Sequence, residues 1–61
     1  MRVYDSQGGF AGKVTGTLAL HSDDPALRSI WEDAEKEISY LAPDAESRFQ
    51  LFLEERGYRV E

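Results

Sequence analysis

The sequence contains no cysteine, a single histidine and a single tryptophan among its 61 residues. Without cysteine the chain can form neither a disulfide nor a thiolate metal site, and one histidine cannot build a histidine-rich zinc site. Such a short chain buries only about 60% of the surface that its unfolded form exposes, so small domains usually depend on disulfides, a metal or another subunit. We therefore expect one domain, residues 1–61, in which a partner chain is the remaining source of extra stability.

The sequence also lacks any apolar run near the roughly 20 residues that a membrane span requires, and no signal-peptide pattern opens it. We expect a cytoplasmic protein with no membrane partner. Basic residues are few, at seven against twelve acidic ones, and the net charge is −5. An acidic chain repels the phosphate backbone, so direct nucleic acid binding is not expected.

The N-terminal third has the pattern of β-strands. A short β-prone segment, MRVYD, precedes SQGG, whose glycines favour a chain reversal. Alternation then predicts one buried face: Phe10, Gly12, Val14, Gly16, Leu18 and Leu20. We interpret Gly12 and Gly16 as places where a helix approaches the sheet closely. Residues 10–21 form either one long strand or, with a second turn near Lys13–Gly16, two short ones.

The stretch HSDDPALRS marks the start of a helix. Asp24 can cap this helix, and Pro25 suits its first position. Apolar residues then recur three and four positions apart and predict one buried stripe: Leu27, Ile30, Trp31, Ala34, Ile38 and Leu41. Arg28, Glu32 and Lys36 follow one another at i, i+4 spacing on the flank, where we expect ion pairs to support the helix.

A second helix follows a proline break. Pro43 ends the first helix, and PDAES begins the second with Asp44 as its cap. The apolar stripe of the second helix comprises Ala45, Phe49, Phe52 and Leu53. Gly57 ends it in a Schellman motif, and YRVE is expected to form a short last strand. The sequence thus predicts an α+β fold of ββααβ order, in which an N-terminal β-hairpin, or three short strands, is packed by an antiparallel αα-hairpin.

Two apolar residues lie off the predicted stripes and indicate a contact surface. Tyr40 falls on the side of the first helix that lies opposite Leu27 and Ile38. With 3.6 residues per turn, Leu51 falls about 200° from Phe49 around the second helix. Trp31, in contrast, lies in the middle of its stripe, and we expect it at the centre of the core opposite the two strand glycines. The predicted interaction surface comprises Tyr40, Leu51, Glu32, Asp33 and Glu37.

The stretch GGFAGKV has the composition of a phosphate-binding loop but not its spacing. A P-loop places serine or threonine after its lysine and leads into a helix, whereas here Val14 follows Lys13 and the segment leads into a strand. The glycine pattern of a kinase loop fits better, with Gln7 in place of the first glycine, but the catalytic motifs of a kinase are absent. We interpret the stretch as a hairpin turn that enters a strand, and no cofactor is expected.

No catalytic or metal-ligating residue is predicted. The residues of HSDD are adjacent in the chain and cannot converge as a catalytic triad, and two aspartates supply too few ligands for calcium or magnesium. We interpret HSDD as a strand end followed by a helix cap. Because no group of titratable residues converges, an enzyme is not expected.

The sequence favours a non-enzymatic protein–protein interaction or regulatory module. We expect a homodimer, joined through the edge of the long strand or through the Tyr40 and Leu51 surface, because part of a twelve-residue strand would lack a partner. The alternative is an acidic inhibitor that imitates nucleic acid and occupies a DNA- or RNA-binding protein. A minor alternative is a dimeric sheet that binds nucleic acid through its non-acidic face: Arg2, Lys13, Thr15 and Thr17.

Overall fold

The computed structural model describes residues 1–61, which form four strands and two helices. In chain order these are β1 (Arg2–Tyr4), β2 (Phe10–Val14), β3 (Leu20–His21), α1 (Pro25–Glu37), α2 (Ala45–Glu54) and β4 (Arg59–Val60). The strands form one antiparallel sheet in the order β3-β2-β1-β4. The predicted α+β fold is confirmed, with three short N-terminal strands instead of a single hairpin.

The reversal between β1 and β2 is built around Asp5. The Asp5 carboxylate accepts hydrogen bonds from the backbone N–H groups of Gln7 at 2.9 Å and Gly9 at 2.8 Å. Gly8 supplies the left-handed residue of the turn, with φ at 85°, a conformation that glycine adopts without steric cost. The predicted reversal at SQGG is confirmed.

Residues 10–21 form two strands, not one. The chain turns at Thr15–Ala19, where the Thr15 N–H donates to the Ala19 carbonyl at 3.0 Å. This turn lies further along the chain than the turn near Lys13–Gly16 that the sequence predicted. Its left-handed residue is Leu18, with φ at 62°, and not Gly16.

Both edges of the sheet are short. β3 folds back on β2 with Lys13 opposite His21, and β4 pairs with β1 with Val3 opposite Val60, not beside residues 10–21. Each edge strand has two residues, and short edge strands offer little backbone for pairing with another chain. The predicted long unpaired edge is wrong, and the structural reason for a dimer through that edge is removed with it.

A β-bulge at the start of β2 reverses the predicted orientation of Phe10. Val3 lies opposite Gly12, yet Tyr4 lies opposite Phe10, so β2 contains one more residue than β1 over this interval. An extra residue moves the side chains beyond it to the other face of the sheet. Gly12 and Val14 remain buried, whereas Phe10 is 64% exposed. The prediction that Phe10 belongs to the core is wrong.

Helix α1 begins as predicted and ends early. The Asp24 carboxylate accepts a hydrogen bond from the Ala26 N–H at 2.9 Å, which confirms the cap. The helix ends at Glu37, before the proline break, so Leu41 lies in the connection between the helices and is 94% exposed instead of buried.

The predicted ion-pair ladder along α1 does not form. Neither Arg28 nor Glu32 is in an ion pair, and Lys36 lies 4.0 Å from Asp33 at i, i+3 spacing. Both partners of that pair are well exposed, and exposed pairs contribute little to stability. Helix α1 therefore depends on its buried stripe and its cap.

Helix α2 ends in the predicted Schellman motif. The Tyr58 N–H donates to the Leu53 carbonyl at 3.1 Å, and Gly57 has a φ of 90°. At the start of α2, Asp44 occupies the cap position, but its carboxylate accepts from Arg48 Nε at 2.8 Å and makes no capping bond. This hydrogen bond lowers the pKa of Asp44 below its usual value.

The core lies between the helices and one face of the sheet. Trp31 stacks on Phe49, with ring centroids 4.4 Å apart and planes 26° apart. Trp31 is buried as predicted, but not against glycines: a Cβ at Gly16 would meet no atom within 4 Å, and a Cβ at Gly12 would meet the backbone of β3. The buried residues are Val3, Val14, Leu27, Trp31, Ala34, Ile38, Ala45, Phe49, Phe52, Leu53 and Val60.

Candidate interaction surface

One face of the sheet packs on the helices, and the other is open. Val3, Val14 and Val60 point inward and are at most 9% exposed. Since side chains alternate along a strand, the neighbours of these valines point outward, and the bulge adds Phe10 to them. We call the resulting set the open sheet face: Arg2, Tyr4, Phe10, Lys13, His21 and Arg59.

An aromatic row crosses the open sheet face from β4 through β1 to β2. Tyr4 lies opposite Arg59 on one side and opposite Phe10 on the other. The Tyr4 and Phe10 rings meet edge to face, with centroids 5.8 Å apart and planes 77° apart, and the Arg59 guanidinium lies 5.3 Å from the Tyr4 ring centroid. Both contacts are favourable arrangements of an aromatic ring, so Tyr4 holds its neighbours in place.

A basic row runs beside the aromatic row on β1, β2 and β3. Arg2 lies opposite Lys13, and Lys13 lies opposite His21. Neither the Arg2 guanidinium nor the Lys13 ammonium forms an ion pair within 4.0 Å. Like charges directly opposite each other destabilise a sheet. Two unpaired cations therefore stand side by side in a chain of net charge −5.

The negative charge of the protein is concentrated away from the basic row. Helix α1 carries four acidic residues against two basic ones. At physiological ionic strength the screening length is about 8 Å, so a ligand at the basic row interacts mainly with local charges. Glu61 is an exception, since it lies opposite Arg2 at the β4 end of the basic row, and its side-chain carboxylate lies 2.9 Å from Arg59 Nη2.

Four of the five residues predicted as an interaction surface are divided between two hollows. Tyr40 and Glu32 line a hollow beside the β2–β3 turn. Leu51 and Glu37 line another between the end of α1 and α2. Asp33 lines neither and pairs with Lys36. The set therefore does not form one continuous surface, and its role in binding stays a prediction.

Tyr40 also closes one edge of the core. Its ring lies 5.2 Å from that of Phe49, centroid to centroid, and its hydroxyl donates a hydrogen bond to the Glu35 carboxylate. Partial burial raises the pKa of Tyr40, and the neighbouring Glu35 raises it further. Although 43% of Tyr40 is exposed, the rest of the side chain contributes to packing.

The backbone donors of the glycine stretch are already occupied. The N–H groups of Gln7 and Gly9 donate to the Asp5 carboxylate, and the Gly8 N–H donates to the Asp5 carbonyl at 3.0 Å. The Asp5 carboxylate would repel a phosphate at this turn, and it already accepts hydrogen bonds from the N–H groups of Gln7 and Gly9. The turn therefore has the geometry of a structural reversal, in agreement with its interpretation from the sequence.

The HSDD segment joins β3 to α1 through local hydrogen bonds. The Ser22 hydroxyl donates to the Ala11 carbonyl and accepts from the Asp24 N–H. Both roles of the hydroxyl are structural. No group of three or more histidine, cysteine, aspartate or glutamate side chains is placed to hold a metal ion.

Neither helix has the length and apolar character that crossing a membrane requires. Comparison of the chain with protein-family models, with curated proteins and with solved structures finds no match. A function must therefore be inferred from the surface itself.

The sequence identified only part of the open sheet face. Arg2 and Lys13 were expected on a common non-acidic face, and they lie there. Thr15 and Thr17 were expected beside them but lie in the β2–β3 turn, where their hydroxyls are 3.0 Å apart. The aromatic row was missed, because its formation depends on the bulge and on the pairing of β4 with β1.

Replacing Lys13 with glutamate is expected to stabilise the fold. The substitution converts the Arg2–Lys13 repulsion into an opposite-charge cross-strand pair, which contributes about 0.2–1 kcal/mol. Urea denaturation measures the change. Lys36→Glu makes the same change in net charge but removes a contact with Asp33, so it should leave stability unchanged or slightly lower. A less stable Lys13→Glu protein would contradict the repulsive pair.

Proposed function

We propose that the protein is a non-enzymatic module that binds another protein through the open sheet face. The observation that carries the proposal is the position of Phe10, which is 64% exposed and held in place by Tyr4. A phenylalanine in this position contributes little to the core. Aromatic residues and arginine are enriched among the residues that dominate protein–protein binding energy.

The total surface of the protein limits the size of any interface. A standard interface takes about 800 Å² from each partner, whereas the whole protein exposes 4110 Å². An interface of standard size would therefore take about a fifth of the surface of this protein. The regulatory role and the cytoplasmic location expected from the sequence belong to this proposal.

Substituting Phe10 with serine tests the proposal. We expect Phe10→Ser to lose the proteins that the wild-type chain captures from host lysate, because their central apolar contact is removed, while the fold is retained. Leu51→Ser is the matched control, since Leu51 is similarly exposed, at 56%, but lies on α2. Quantitative mass spectrometry of both captures provides the comparison. Identical captured sets for wild type and Phe10→Ser would overturn the proposal.

We propose, as a second candidate, that the protein forms a homodimer. The support for this proposal comes from exposed apolar residues on the helical side and no longer from an unpaired sheet edge. Leu41 and Leu51 are both more than half exposed on the helical side, and burying them offers a reason for self-association. Light scattering across a range of concentrations should then show a mass above 6.9 kDa that Leu51→Ser reduces. A strict monomer at high micromolar concentration would remove this proposal and leave the sheet-face proposal intact.

The acidic-inhibitor alternative receives no comparable support. A nucleic acid mimic needs a continuous row of free carboxylates. On α1, Glu35 accepts a hydrogen bond from Tyr40, and Asp33 lies beside Lys36. These contacts interrupt the acidic surface, so we do not extend the proposal to mimicry.

A further inference from the structure

We infer that the partner presents an extended segment in which an acidic residue and an apolar residue lie two positions apart. The acidic side chain would lie on the basic row, and the apolar one on Phe10. This inference rests on the proposed function and specifies the partner that the open sheet face would take.

The spacing of the two rows carries the first part of the inference. Arg2 and Tyr4 are two residues apart on β1 and mark the two rows. Two residues of strand span about 7 Å, and side chains i and i+2 of any extended segment point to the same side. A segment lying along β1 therefore places two of its side chains on the two rows at once.

The charges carry the second part. The side chains of Arg2 and Lys13 form no ion pair within the protein. A carboxylate between them would form charge-assisted hydrogen bonds and reduce the repulsion between the two cations. Glu61 lies opposite Arg2 on the β4 side, where its side chain is paired with Arg59, so the basic row is open to an anion on its Lys13 side. The face thus offers one position for an anion, at Lys13, and one apolar position, at Phe10.

This asymmetry disfavours single-stranded nucleic acid. Nucleic acid carries a negative charge at every nucleotide, so a strand that crosses the face would bring phosphates near Glu61, opposite Arg2, as well as near Lys13. Base stacking requires free ring faces, but Arg59 lies over the Tyr4 ring, and Phe10 meets that ring edge to face. A second copy docked symmetrically through the same face would bring two basic rows together, which is unfavourable.

A random twelve-residue peptide library displayed on phage, selected against the wild-type protein, tests the inference. We expect the selected peptides to be enriched in an acidic residue two positions from an apolar or aromatic residue. Synthetic copies should bind Lys13→Glu at least tenfold more weakly than wild type. Because Lys13→Glu is expected to be the more stable protein, such a loss would not reflect unfolding. Lys36→Glu carries the same net charge and should bind like wild type.

The outcomes distinguish a failure of this inference from a failure of the proposed function, which is protein binding through the open sheet face. Selected peptides that lack acidic residues, yet shift the amide resonances of β1 and β2, would overturn the inference and leave the proposed function standing. Peptides whose resonance shifts map only to the helices would overturn both. A ten-residue oligothymidylate that binds more tightly than the best peptide at 150 mM salt would overturn the inference in favour of nucleic acid.

Discussion

Replacing Trp31 with alanine is expected to destabilise the protein by about 3–5 kcal/mol, the range for truncating a buried aromatic residue. Trp31 is 4% exposed and stacks on Phe49, which is completely buried. Removing the indole leaves a cavity over the Phe49 ring, and a core this small has few side chains that can relax into it. A domain of this length has a total stability of only about 3–9 kcal/mol. We therefore expect much of the Trp31→Ala protein to be unfolded at room temperature.

Circular dichroism during urea denaturation measures the loss. Leu41→Ala is the matched control, because Leu41 is 94% exposed and truncation of an exposed residue usually changes stability by less than about 0.5 kcal/mol. A Trp31→Ala protein that unfolds cooperatively at nearly the wild-type urea concentration would show that the stack with Phe49 contributes little to the core.

Several features that local sequence signals predict are confirmed by the structure. The cap at Asp24 and the Schellman end at Gly57 each depend on a few neighbouring residues, so their chemistry can be recognised in the sequence. The reversal at SQGG was found for the same reason, although the role of Asp5 in organising it was missed. Local chemistry also gave the order of helices and strands.

The features that were missed depend on contacts between distant segments. Alternation along β2 placed Phe10 in the core, and only the pairing with β1 shows the extra residue that turns it outward. The position of the second turn was missed because its left-handed residue is Leu18, a residue type that gives no turn signal. Helix α1 also ends before Leu41, because the backbone becomes extended at Ile38, with φ at −118° and ψ at 126°.

The candidate site was only partly predictable because its chemistry is assembled across strands. Arg2 and Lys13 were recognised as non-acidic, but their position as direct neighbours is a property of the register. Tyr4, Phe10 and Arg59 come from three strands and meet only in the folded sheet. The cysteine-free composition favoured a partner chain, and we propose the exposed Phe10 as the place where such a partner would bind.

Replacing Gly12 with alanine is expected to destabilise the protein and loosen β3. A Cβ at this position would lie 2.7 Å from Ser22 Cβ and 2.9 Å from the His21 carbonyl oxygen, so the backbone of β3 would have to shift. Overpacking of this kind costs about 1–3 kcal/mol. That cost outweighs the gain of about 0.4–1 kcal/mol that alanine brings by restricting the unfolded chain. The shift would also strain the hydrogen bond from Ser22 to the Ala11 carbonyl.

Gly16→Ala provides the matched comparison within the same segment. No atom lies within 4 Å of a Cβ at Gly16, and its φ is not in the left-handed region. The unfolded-state gain of about 0.4–1 kcal/mol should therefore appear without any packing cost. Urea denaturation measures both variants, and amide hydrogen exchange at His21 reports the loosening of β3 in Gly12→Ala alone. If both substitutions stabilise the protein equally, the close approach of β3 to Gly12 is disproved, and Gly12 is free to vary.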